Sequence, residues 1–144
     1  MNVADILRTK GAAVTTVSAG ASALVVAQRL RGQRIGAMIV SDDGHLIEGI
    51  ISERDLAYGL AEHADNLPNV SVSELMTTDV ITCSPRDCVS EIAKVMTQRR
   101  IRHLPVKDGD QLVGIITIGD VLKHRLDEMQ LEANVLRDYA IARR

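Results

Sequence analysis

The feature that most constrains this chain is that it is written twice. Val14 to Asp55 reads VTTVSAGASALVVAQRLRGQRIGAMIVSDDGHLIEGIISERD, and Val80 to Asp120 reads VITCSPRDCVSEIAKVMTQRRIRHLPVKDGDQLVGIITIGD. With Asp43 left over in the first copy, 41 pairs align and 13 are identical. The identities, among them Arg34/Arg100, Gly49/Gly114 and Asp55/Asp120, run through the whole unit and are not confined to one short motif. The approach segments match too, Val3 to Leu7 resembling Val72 to Met76. Such a duplication points to one supersecondary unit used twice.

Both copies predict the same order of elements. A β-branched strand (Val14 to Val17; Val80 to Cys83) leads to a turn in which Ser18 or Ser84 stands as helix N-cap, with Pro85 at the first helical position of the second copy. A helix follows, from about Ala21 to Arg31 and from about Arg86 to Arg99, with Val89, Ile92, Ala93 and Met96 at helical spacing. Two strands come next (Ala37 to Val40 and Leu46 to Ile51; His103 to Val106 and Leu112 to Ile116), joined through an Asp-Gly turn. A second helix begins near Asp55 or Asp120. A strand-helix-strand-strand-helix unit of about 55 residues buries too little to be comfortable alone. The expectation is therefore an α/β (α+β) fold in which the two copies, 3–65 and 72–126, share one core about a pseudo-two-fold axis. A linker spans 66–71, and a helical extension spans 127–144.

Composition narrows the function. Apolar residues make up 46% of the 144, enough for a core, but only Tyr58 and Tyr139 are aromatic. That argues against base-stacking nucleic-acid platforms, and a net charge of -2 lacks the footprint of a DNA binder. No run is long enough to span a membrane, and the N-terminus has no signal-like apolar stretch, so the expected setting is cytoplasmic. Cys83 and Cys88 read as two separate buried thiols rather than a disulfide. His45, His63 and His124 have no partner at metal or triad spacing and read as surface residues. Neither a metal site nor a catalytic constellation emerges, so an enzyme is not expected.

The segments Gly49-Ile-Ile-Ser-Glu-Arg-Asp55 and Gly114-Ile-Ile-Thr-Ile-Gly-Asp120, with Arg102-His-Leu-Pro-Val106, closely resemble the CBS domain, and the tandem resembles a Bateman module of the stand-alone signal-transduction type. The resemblance implies two equivalent clefts between the repeats, binding an adenine nucleotide such as AMP, ADP, ATP or NAD. It also implies a regulatory role, a homodimer, and a protein effector that the sequence does not name. The alternative is a ligand-independent dimerisation or interaction scaffold with vestigial clefts.

Read from the residues, Thr117 and Asp120 have capping-box spacing at a helix start, where N–H groups are unpaired. Asp120 therefore either caps its own helix or accepts hydrogen bonds from a ribose diol, and both can hold together. The resemblance gives Thr117 and Asp120 the ribose role, and Ser52 and Asp55 the same role in the other copy. It sets Arg102 and His103 against a phosphate, although such a basic run is commonly a solvated surface. Gly36 and Ala37 occupy the matching places in the first copy and carry no charge, so the Asp120 cleft is the one expected to take the more anionic ligand. The resemblance also places Ile115 on its wall, with the Lys10 to Ala13 segment, Ala12 included, and the edge at Ile35 and Gly36 flanking the adenine. Lys10 either reaches a phosphate or stays in solvent. The Asp55 cleft is expected to be lined by Thr78, Val80 and Ile101 with Ser52, Arg54 and Asp55. Arg54 either supplies a cation there or pairs at the surface. Leu122, Leu126, Met129, Ala133, Leu136 and Ala140 form an apolar stripe on the C-terminal helix, which is either a coiled-coil face for a dimer or a face folded back on its own module.

Overall fold

The computed structural model describes residues 1–142. The first repeat holds α1 (Val3–Lys10), β1 (Thr16–Val17), α2 (Ala23–Gln33), β2 (Ala37–Val40), β3 (Gly49–Ser52) and α3 (Glu53–His63). A 3-10 helix (Ala64–Asn69) fills most of the expected linker, and α4 (Val72–Leu75), α5 (Val89–Arg99), β4 (His103–Asp108), β5 (Gln111–Thr117) and α6 (Ile118–Ala142) make up the second repeat. β2 pairs antiparallel with β3 and parallel with β1, and β4 pairs antiparallel with β5. Arg34 and Arg100 end α2 and α5 in the same left-handed conformation, at φ 55° and 54°.

The expected strand over Val80 to Cys83 does not form; only Cys83 bridges to Val106. In the first repeat, the Ile39 N–H donates to the Thr15 carbonyl at 3.3 Å. Its counterpart is Pro105, which has no N–H to give, so the ladder shrinks to the bonds on either side of Cys83. The expected strand from Leu46 likewise starts only at Gly49. Asp43, the residue left over in the alignment, is the cause. Its Oδ1 accepts from the N–H groups of His45 and Leu46 at 2.8 and 2.9 Å, holding that stretch in a loop.

The helix caps also differ from expectation. Ser22 and Cys88 occupy the N-cap positions, each four residues beyond Ser18 and Ser84. Ser18 instead donates to Asp42 at 2.9 Å, and its hydroxyl accepts from Gly20. Ser84 opens a turn with Pro85 at its second position, closed by the Asp87 N–H on the Ser84 carbonyl at 3.0 Å.

There are two cores, not one, and each approach helix belongs to the other repeat's core. Val3 and Ile6 pack with Val89, Ile92, Met96, Leu104 and Ile116. Val72 packs with Val17, Val26, Leu30, Met38 and Ile51. The backbone bonds obey the same exchange. Val3 and Ala4 N–H groups donate to the Asp87 and Pro85 carbonyls, as Val72 and Ser73 donate to those of Ala21 and Ala19, all at 2.8 to 3.0 Å. Under the repeat alignment these acceptors are equivalent, which is the pseudo-two-fold axis expressed in hydrogen bonds. Val3 and Val72 are both fully buried, each stabilising the foreign core by roughly 1.5–3 kcal/mol. This exchange joins the two repeats into one body.

α6 does not fold back. Leu126 and Leu136 are 61% and 68% exposed. Of the extension expected over 127–144, Arg143 and Arg144 lie outside the described residues.

Candidate functional site: the crevice between the repeats

The strand-to-helix junctions of the two repeats face each other across the exchange. In each, an aspartate in the first helical turn closes the cap with one oxygen. Asp55 Oδ2 accepts from the Ser52 N–H at 2.8 Å and from its hydroxyl at 3.1 Å. Asp120 Oδ2 accepts from the Thr117 N–H at 2.8 Å, while the Thr117 hydroxyl accepts from the Asp120 N–H at 3.1 Å. Capping therefore holds for both, and it engages only Oδ2. Asp55 Oδ1 takes the Thr77 hydroxyl at 3.2 Å, and among the described residues Asp120 Oδ1 accepts no hydrogen bond.

The crevice opens on the Asp55 side as a cavity of about 380 Å³, within the roughly 300–1,000 Å³ of small-molecule sites. The first repeat contributes Gly36, Ile50, Ser52, Glu53, Arg54 and Asp55 to its wall. The facing wall carries Thr77, Asp79, Val80, Ile81, Arg100, Ile101, Arg102 and His103. Ser52, Arg54, Asp55, Val80 and Ile101 thus come together as the sequence suggests, whereas the exposed Thr78 is not on the wall and its neighbour Thr77 is. Arg102, His103 and Gly36, expected around Asp120, line this same cavity. The expected lining left out Ile50, Thr77, Ile81 and Arg100; the identity Arg34/Arg100 was a usable signal for the last.

His103 explains the placement. β4 pairs it with Thr117, beside Asp120, and its ring leans across the axis onto Gly36. A Cβ at Gly36 would stand 3.1 Å from His103 Nε2 and 3.4 Å from a Glu53 carboxylate oxygen. The close approach that Gly36 permits is thus made by an imidazole. Burial pushes that imidazole below its usual range; Glu53 opposes the shift and the Lys10 and Arg102 cations add to it. Burial thus favours the neutral form of the ring.

The Asp120 side is occupied by the protein itself. Lys10, at the end of α1, donates to Asp120 Oδ2 at 2.7 Å and to the Ile115 carbonyl at 2.9 Å. Lys10, although exposed, is thus held at the cleft by an ion pair with Asp120. Burial raises the Asp120 carboxyl, but Lys10 and the Thr117 N–H outweigh it and hold the group below the ordinary carboxylate range. Ala12 lies exposed in the loop after α1, and Ile35 lines a shallower depression between α2 and α3.

Other expected features resolve as follows. Cys83 is buried, but Cys88 is exposed, contrary to the expectation of two buried thiols. His124 is not a surface residue: its side chain is 14% exposed, with Nε2 3.3 Å from Glu128. No cluster of potential metal ligands occurs among the described residues, and no described helix is long and apolar enough to cross a membrane.

Comparison with known proteins identifies the unit. The family model described as CBS domain matches residues 3–62 and 72–127. Among solved structures, a CBS-domain containing protein from Agrobacterium tumefaciens has a TM-score of 0.83 at 39% identity, over 87% of this chain and 99% of that one. The CBS domain pair of protein MJ0100, solved with 5′-methylthioadenosine and S-adenosyl-L-methionine, has a TM-score of 0.75 at 29% identity, over 85% and 98%. Among curated proteins, CBS domain-containing protein YhcV of Bacillus subtilis is 29% identical over 87% of this chain and 86% of its own length. Other relatives are longer. The chain spans only 29% of an uncharacterised protein of Thermofilum pendens, to which it is 43% identical over 62% of its own residues.

Proposed function

The chain belongs to the CBS domain family and carries two of its domains in tandem, and from that premise we propose that it is a regulatory module sensing an adenine nucleotide in the crevice between them. The observation that carries this reading is the Asp55-side cavity. There a ribose-competent Ser-Asp pair of one repeat faces Arg102 and His103 of the other across about 380 Å³. A carboxylate matches two adjacent hydroxyls, and guanidinium groups match phosphate oxygens. With no Phe, Tyr or Trp on the wall, the base is held by Ile50, Val80, Ile81 and Ile101. Support from outside comes from the relative bound to methylthioadenosine and S-adenosylmethionine, both of which carry adenosine.

AMP, ADP, ATP and NAD are the ligand candidates. Arg54, Arg100 and Arg102 suit a phosphate, while Glu53 and Asp79 on the same wall weigh against the longest polyphosphates. The Asp120 cleft is the second site in this reading. Thr117 and Asp120 hold the ribose there once Lys10 releases Asp120 and turns to the phosphate. A ligand touching both repeats shifts their relative position only through a difference in affinity between the two arrangements. The reading includes self-association, supported by the apolar residues exposed along α6, and a protein effector downstream.

Thermal unfolding of the full chain with AMP, ADP, ATP, NAD or S-adenosylmethionine tests it, in wild type, Asp55→Asn and Asp120→Asn. A true ligand at about 100 times its Kd stabilises the native state by about 2.7 kcal/mol. Asp55→Asn is expected to abolish most of that gain. If no candidate raises Tm, the sensor reading fails and a ligand-independent scaffold takes its place.

A further inference from the structure

The segments that match the CBS family end at residue 127, yet α6 continues to Ala142. We infer that this extension pairs with that of a second copy as a parallel, in-register, two-stranded coiled coil. The inference rests on the self-association reading above and gives it a surface and an orientation.

The seam is the stripe Leu122, Leu126, Met129, Ala133, Leu136 and Ala140, whose steps alternate four and three residues. That is the d, a, d, a, d, a pattern of a heptad seam. Its four large residues are 57%, 61%, 59% and 68% exposed in chain order. The positions that turn toward the body, Val121, His124 and Glu128, lie roughly a third of the way round the helix from the stripe. The module therefore leaves the stripe to a partner.

Charge sets the orientation. Glu132 and Arg137 fall at g and at the following e, five residues apart. Residues five apart do not meet on one helix, where neighbours are three or four apart, and among the described residues neither has an ion-pair partner in its own chain. In a parallel pair, g of one helix meets the next e of the other, so Glu132 and Arg137 of two copies pair twice. The best antiparallel register stacks Leu122 on Ala140, Leu126 on Leu136 and Met129 on Ala133. It sets Glu132 against its own copy and Lys123 against Arg137, which repel. Arg125, the one basic g residue, is already held by Glu128 at 2.9 Å. Parallel pairing brings both modules to the same end of the coil.

The test is sedimentation equilibrium of the full chain at micromolar concentrations. Wild type is expected to be dimeric, and Leu136→Glu, which puts a charge on an exposed seam position far from both cores, to weaken the dimer at least tenfold. Glu132→Arg is expected to weaken it several-fold, and adding Arg137→Glu to restore it. Leu136→Cys in a Cys88→Ser background is expected to form an intermolecular disulfide on mild oxidation. A monomeric wild type overturns self-association and coil together. A dimer unmoved by Leu136→Glu overturns the coil and leaves self-association to another face. A dimer broken by Leu136→Glu, but neither restored by the charge swap nor cross-linked through position 136, overturns the parallel orientation.

Discussion

Lys10→Met isolates the contact that closes the Asp120 side. The substitution keeps the aliphatic stem and removes the ammonium, and with it hydrogen bonds of 2.7 Å to Asp120 and 2.9 Å to the Ile115 carbonyl. A hydrogen bond to a charged group contributes about 1.5–3 kcal/mol, and a fully exposed ion pair about 0.2–1 kcal/mol. With side chains 29% and 22% exposed, this pair lies between the two, so a coupling of about 1–2 kcal/mol is expected. The assay is a double-mutant cycle by urea unfolding at pH 7, using Lys10→Met, Asp120→Asn and both. The cycle is needed because Asp120 also caps α6, a cost that cancels in the coupling. The sign of the pH dependence is fixed. Asp120 has a lowered pKa in the folded chain, so its contribution is complete above the unfolded carboxylate value of about 3.9. It is lost as pH falls through the folded value. The coupling should therefore vanish in acid and shrink, without disappearing, in high salt. A coupling below about 0.3 kcal/mol at pH 7 would refute the reasoning that Lys10 locks this cleft.

The repeated glycines should not respond alike. A Cβ at Gly49 stands 2.8 Å from both the Thr77 carbonyl oxygen and Met76 Sδ, whereas at Gly114 it meets only the Leu7 side chain, 2.8 Å away. Gly49→Ala is expected to cost about 1–3 kcal/mol as an overpacked site and Gly114→Ala less, because Leu7 can turn; equal losses in urea unfolding contradict this. The thiols should differ too. Burial pushes Cys83 up to about 12, while the Ser90 hydroxyl and the N–H groups at the start of α5 lower the exposed Cys88. Iodoacetamide at pH 8 should therefore add once, at Cys88, with a second adduct only in urea; two adducts on the native chain would sink the account of Cys83.

How much of this was legible depended on whether a feature is local. The strands that hold Gly49-Ile-Ile and Gly114-Ile-Ile, and the capping spacing of Thr117 and Asp120, were legible because strand runs and capping are short-range patterns. The segments Val3 to Leu7 and Val72 to Met76 match in sequence, but that likeness cannot say against which repeat each packs, so the exchange of approach helices was invisible. The loss of the strand before Cys83 was readable in principle: Pro105 stands where Ile39 donates, but the consequence falls on a partner more than twenty residues away. Asp43 was treated as a gap in the alignment and proved to organise the loop that shortens β3. Lys10 was the hardest. Its carboxylate partner is 110 residues distant, and nothing near Lys10 in sequence distinguishes it from a solvated lysine. Arg102 and His103 stand out in the sequence as a basic pair, but which cleft they line depends on a ring leaning over Gly36.

That ring offers the most direct test of a nucleotide held between the repeats. His103 lies on the cavity wall and beside Asp120, so its imidazole resonances should move saturably as AMP is added, whichever cleft fills first. An adjacent phosphate favours the imidazolium, so the pKa of His103, held down by burial, should climb with occupancy. The exposed His45 should not respond. Resonances of His103 that stay fixed at millimolar AMP, ADP, ATP and NAD, or shifts confined to His45, contradict the account.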